Sequence, residues 1–160
     1  MTAMYPDTKP WDFTFLNYLK NPSNQDTNIL PKYPSNPNSV LAFIATNPDF
    51  SDFYQITKIA DMEKDLDGDL KGFTLFVPIS CNGIDLLRLD RLEARKIVML
   101  SMLPAKLYRR DMITGLFDTY LKNYHMWIDE SVLNKRSRVV LYNVSRDNGV
   151  VHVVDRLPML

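Results

Sequence analysis

The chain has one cysteine, two histidines and five glycines among 160 residues. A single thiol, Cys81, excludes an internal disulfide, and no second cysteine or histidine stands near it at a zinc-ligand spacing. Nineteen basic and nineteen acidic side chains cancel, so nothing global points to nucleic acid. No run approaches the roughly 18 apolar residues of a membrane span. The opening "MTAMYPDTKPWDF" lacks the basic and then apolar regions of a secretory leader. The expectation is a protein made and kept in a reducing compartment. In the extracellular alternative, Asn143-Val144-Ser145 would be a glycan acceptor.

Motifs for catalysis are missing as well. The chain carries no G-x-S-x-G, no H-E-x-x-H, no Walker loop and no G-x-G-x-x-G. "EKDLDGDL" sets Glu63, Asp65, Asp67 and Gly68 at positions 1, 3, 5 and 6 of a calcium loop. Thr74 then falls at position 12, where a bidentate glutamate belongs, so the stretch reads as a solvated acidic turn. The chain is expected to be no enzyme and to use no metal, cofactor or small-molecule substrate.

What the chain does have is unevenly placed. Six of its ten prolines (Pro6, Pro10, Pro22, Pro31, Pro34 and Pro37) lie within residues 1–38 among many asparagines. Such a segment cannot propagate a helix or bury much surface, so it reads as an extended arm. One stretch interrupts it: Trp11, Phe15, Tyr18 and Leu19 fall at helical spacing over residues 10–20, with Pro10 suited to a first turn. Trp11, Phe13 and Phe15 also alternate as a strand would. Trp11, Phe13, Phe15, Tyr18 and Tyr33 are the arm's expected contacts with a protein partner.

From Ser39 the pattern turns compact. "SVLAFIAT" and "DFSDFYQITKIA" predict short helices, capped by Asn38 or Ser39 and by Asp49 or Ser51. "FTLFVP" predicts a strand stopped by Pro78, and 82–103 predicts two helices meeting near Asp90. "MITGLFDTYLKN" predicts a turn and short helix. "YHMWIDE", "RVVLYNV" and "VVHVVD" predict three late strands. This order is α+β. Residues 49–69 carry seven acids and two lysines, and residues 84–110 carry seven basic residues and three acids. The two stretches suit complementary solvated faces, or a polar contact surface for a partner.

His125, on a predicted strand, has no visible partner and reads as structural. His152 is the serious candidate for chemistry. On a strand, Val150, His152 and Val154 share one face while Asp155 points to the other. His152 therefore cannot pair locally with Asp155, and an imidazole between two valines reads as a core residue held by hydrogen bonds. Asn148-Gly149 reads as the preceding turn, because both residues tolerate positive φ.

These stretches resemble the fasciclin-domain family. "FTLFVPISCNGIDLL" is similar to its opening motif through Thr74, Phe76 and Pro78. "RKIVMLSMLPAKLYRRDM" is similar to its middle segment through Leu100, Pro104, Leu107 and Asp111. "DNGVVHVVDRLPML" is similar to its closing motif through Asn148, Gly149, Val151, His152, Val154 and Asp155. Leu100-Ser101 stands where the family has a Tyr-His pair associated with integrin binding. The resemblance covers residues 39–160. It implies a fasciclin-like fold: a two-sheet β-sandwich or wedge core, helices packed at one end, and His152 as a structural residue. It implies a non-enzymatic module working by contact with proteins or matrix. With the arm, the expected role is a structural component of an assembly, such as a minor capsid or cementing protein of a large DNA virus. The alternative is a secreted or cell-surface adhesion protein.

Overall fold

The structure is a computed structural model that describes residues 32–158. Arm residues Trp11, Phe13, Phe15 and Tyr18 lie outside them. The compact unit begins at Tyr33, earlier than the boundary at Ser39 read from the sequence.

Helix α1 (Val40–Thr46) starts where side chains take up N–H groups of its first turn. Ser39 Oγ accepts from Ala42 N, and Asn148 Oδ1 accepts from Val40 N at 2.9 Å. Asn47 caps a 3-10 turn, Pro48–Phe50, which leads directly into α2 (Ser51–Ile59). Neither Asp49 nor Ser51 caps α2: Phe50, the end of the 3-10 turn, holds the N-cap position without a side-chain cap bond. Phe53, Ile56 and Thr57 are its buried positions, at i, i+3 and i+4. Among the described residues one α-helix follows the first long strand. Asp90 and Glu93 form a capping box for α3 (Arg91–Leu100). The segment before it, read as helix, is instead a series of turns: Asn82 and Gly83 have φ of 56° and 74°, and the Asp85 carboxylate accepts from Leu87 N.

Among the described residues seven strands follow one hydrogen-bonded series. They are β1 (Phe73–Ser80), β2 (Met102–Leu103), β3 (Gly115–Asp118), β4 (His125–Asp129), β5 (Val132–Leu133), β6 (Ser137–Ser145) and β7 (Gly149–Arg156). Their order is β2-β1-β7-β6-β5-β4-β3. The stretch read as a turn and short helix, residues 112–123, supplies β3 because Gly115–Asp118 finds an antiparallel partner in β4. Strand β6 belongs to two sub-sheets: its start pairs with β5 and the rest with β7, through two register shifts. The series also bends back on itself, since Tyr120 N donates to the Met102 carbonyl at 3.0 Å.

Strands β1 and β7 are parallel neighbours, with Phe76 opposite His152, and both are buried along most of their length. Alternation assigns their two faces. Phe73, Leu75, Val77, Val151 and Val153 enter a large core with Phe53, Ile56, Ala94 and Val98 from the helices. Phe76 and Val154 face a smaller core with Leu103, Met126, Ile128, Leu133 and Val139. A strand buried on both faces reads as a continuous apolar run, which is what "FTLFVP" and "VVHVV" are. Pro78 does not stop β1. Phe76 N donates to Ser101 O, so the Pro78 nitrogen points to the same side, beyond the end of β2, where no donor is needed.

Candidate functional site

Two of the family-motif residues, Thr74 and His152, converge on one stretch of backbone, residues 104–112, between β2 and β3. Thr74 Oγ1, on β1, donates to Ala105 O at 2.6 Å and accepts from Leu107 N at 2.8 Å. His152, on β7, is fully buried. Its Nε2 lies 2.7 Å from Leu107 O, and its Nδ1 accepts from Asn143 N at 3.0 Å. Those partners fix the tautomer with the proton on Nε2. The ring stacks on Phe76 at 5.5 Å and meets Tyr142 edge-on at 5.7 Å. Burial pushes its pKa below the ordinary histidine value, although the bond to Leu107 O acts the other way. His152 is thus a neutral strut between β6, β7 and the 104–112 segment.

Further bonds fix that segment. Asn143 Oδ1 accepts from Arg109 N at 2.8 Å, and Asp111 Oδ2 accepts from Tyr108 N at 3.0 Å. Tyr108 Oη and Ser145 Oγ lie 3.3 Å apart. Leu107 and Met112 turn inward onto the smaller core. The outward side carries Lys106, Arg109, Arg110, Ile113 and, on β3, Leu116. Ile113 is 72% and Leu116 66% exposed. Arg109 lies over the Tyr142 ring and Arg110 over the Tyr108 ring, at 4.6 and 4.9 Å from the centroids. The result is a rigid backbone displaying cations, an aromatic ring and two aliphatic side chains.

The other singled-out residues do different work. Phe76 fills the smaller core. Asp155 accepts from Arg138 N at 2.9 Å. Asn148 and Gly149 have no positive φ, contrary to the turn reading. Asn148 is buried and ties α1 to the Leu66 and Leu70 carbonyls. Gly149 is needed for space, since a Cβ there would sit 2.7 Å from Phe73 O. Tyr33, expected to meet a partner, packs against the chain's own large core.

The acidic loop also differs from its reading. Asp67 is buried, and its carboxylate accepts from Ser35 N, Ser35 Oγ and Ser39 Oγ at 2.8, 2.7 and 2.7 Å. Burial alone would raise its pKa; the bonds from Ser35, Ser39 and Asn36 outweigh it and hold the carboxyl below the usual range. Nothing in the sequence marks Asp67 out from the six other acids of residues 49–69. Asn143 had one signal, an asparagine inside a strand pattern, where that residue is depleted. It sits in left-handed conformation, φ 61°, at the second register shift of β6.

No group of three or more His, Cys, Asp or Glu side chains among the described residues is arranged to hold a metal. Burial, with the Asp52 carboxylate nearby, pushes the Cys81 thiol up to about 12, so it stays protonated at neutral pH. No helix among the described residues is long and apolar enough to cross a membrane.

The Fasciclin domain family matches residues 48–159. The chain belongs to that family. A solved structure of a FAS1 domain pair from the insect cell adhesion molecule fasciclin I superposes with a TM-score of 0.63 at 16% identity. The match covers 78% of this chain and 52% of that one, so the chain spans about half the length of the pair. At that identity the likeness is one of fold. No curated protein matches the chain. The fold is α+β, the family is one of protein-interaction and adhesion modules, and the 104–112 segment lies within the match.

Proposed function

We propose that this fasciclin domain is a non-enzymatic binding module that presents residues 104–116 to a protein partner. The observation that supports it is the immobilised backbone beneath exposed Arg109, Arg110, Ile113 and Leu116. Interface hot spots favour arginine and aromatic anchors held rigid before contact, because ordering them on binding costs affinity. In the assembly form of this reading, the Pro/Asn-rich arm adds contacts on neighbouring subunits, in a virion for instance. The extracellular form is adhesion to another protein or to matrix, and glycan on Asn143 would distinguish it.

The test replaces Arg110 with glutamate and Leu116 with aspartate, both exposed and remote from either core. A photo-crosslinking residue at Ile113 reports the partner in extracts of cells that express the protein. The expected result is one predominant crosslinked protein, lost in the double variant while its circular dichroism and urea midpoint stay unchanged. Equal crosslinking by the variant would overturn the assignment of the surface.

A further inference from the structure

We propose that Asn82 is a modification site: its amide converts through a succinimide to aspartate and isoaspartate in the native protein, while the fold protects Asn148 from the same reaction. The chain has two Asn-Gly pairs, Asn82-Gly83 and Asn148-Gly149. Glycine in second place favours the reaction, because no Cβ hinders approach to its nitrogen. The Gly83 nitrogen gives its proton to solvent base and attacks Asn82 Cγ. A new C–N bond closes a five-membered ring, the Cγ–Nδ2 bond breaks, and Nδ2 leaves as ammonia. Water then opens the ring at either carbonyl, giving aspartate or isoaspartate. Water is the one co-reactant, and nothing is oxidised or reduced.

The geometry leaves Asn82 open to these steps. Asn82 is exposed, just past the end of β1. With Gly83 it forms the centre of a turn closed by Ile84 N, which donates to Cys81 O at 3.1 Å. Both central residues have positive φ, as in a type I′ turn. That turn engages the Ile84 nitrogen and leaves the Gly83 nitrogen without an acceptor among the described residues. The reacting amide is held weakly: Asn82 Nδ2 lies 3.5 Å from Leu157 O, beyond the usual N–H···O range.

Asn148 differs at every point. It is buried, and its amide is tied at both ends. Its Oδ1 accepts from Val40 N at 2.9 Å, and its Nδ2 donates to Leu66 O at 2.8 Å. Swinging Cγ towards the Gly149 nitrogen would break both bonds. The ring would also need room beside Gly149, where even a Cβ would sit 2.7 Å from Phe73 O. The fold thus separates two identical dipeptides into one reactive and one inert. The isoaspartate product makes residue 82 a substrate for an S-adenosylmethionine-dependent isoaspartyl methyltransferase.

The test incubates the full chain at mildly alkaline pH, native and in urea, and follows both asparagines by peptide mapping and mass spectrometry. Labelled methyl transfer by an isoaspartyl methyltransferase reports the isoaspartate. In the native chain Asn82 is expected to convert at least about tenfold faster than Asn148, the factor for one hydrogen bond added to the barrier. In urea the two rates should come together, and Asn82→Gln should remove the native methyl acceptance. Equal native rates, an Asn82 that reacts only in urea, or a contrast that persists in urea would each overturn the proposal. Asn82 lies outside residues 104–116, so neither result bears on the partner-binding surface.

Discussion

At the scale of single residues, His152 shows how one side chain can hold three pieces of backbone. Its ring fills space between Phe76 and Tyr142 while its nitrogens satisfy Leu107 O and Asn143 N. His152→Phe keeps the ring and removes both bonds. It should cost about 1–3 kcal/mol by leaving buried polar groups unpaired, read as a lower urea midpoint at an unchanged slope. The wild-type pH profile follows from the same site. The native pKa is depressed, so below the unfolded value, near 6.5, the unfolded chain binds a proton that the native chain does not. Stability is therefore full above that pH and falls as the solution is acidified through it. In His152→Phe that slope should vanish from the urea midpoints measured between neutral pH and pH 5. A slope that persisted would assign it to another group. The role of His152 was legible from the alternation of "VVHVV" alone, because period two places it between valines. Asp67 was not legible, since its partners Ser35 and Ser39 lie some thirty residues earlier and no local pattern links them.

Among the elements, the parallel pair β1–β7 organises the rest. Every other pairing in the sheet is antiparallel, and both cores form on the two faces of this pair. Where they begin, a Cβ on Gly149 would sit 2.7 Å from Phe73 O. Gly149→Ala should therefore destabilise by about 1–3 kcal/mol through overcrowding against a backbone oxygen that cannot move aside. The same substitution at Gly115, where no atom lies within 4 Å of the added carbon, should be close to neutral. Thermal unfolding of the two variants makes the comparison, and equal effects would sink it. The doubly buried strands were readable from their apolar runs. The residues around Ile84–Leu89 were misread because leucines at close spacing mimic a helix face. Leu87 is in fact 98% exposed, and left-handed Asn82 and Gly83 break the periodicity before it starts. Strand β3 was misread for a different reason: four residues carry too little pattern, and their pairing with β4 is tertiary information.

For the molecule as a whole, the uneven charge of the sequence is partly resolved within one chain. The Arg91 and Asp61 side chains approach to 3.6 Å, and Arg95 donates to Ala60 O at 3.2 Å, so part of the basic stretch docks on the end of the acidic one. Surface pairs of this kind contribute little. The larger long-range tie is the Asp67 clasp, and it sets where the folded unit starts. A chain beginning at Ser39 keeps the Ser39 hydroxyl on Asp67 but loses Ser35 and Asn36. It also loses the Pro37 carbonyl that accepts from Arg146 at 2.8 Å and the Asn38 carbonyl that accepts from Asp147 N. Compared with a chain beginning at Lys32, it should be less stable by about 2–3 kcal/mol at neutral pH, since the missing bonds go to a buried carboxylate. The pH dependence of that difference identifies its source. In the longer chain the Asp67 pKa lies below its unfolded value, so its contribution is complete above about pH 4 and is lost as pH falls through the native value. Urea midpoints of the two chains should thus differ at pH 7 and draw together in acid. Midpoints that stayed equally far apart at low pH would place the stabilising effect of residues 32–38 in apolar packing, with Tyr33 on the large core, and not in the clasp.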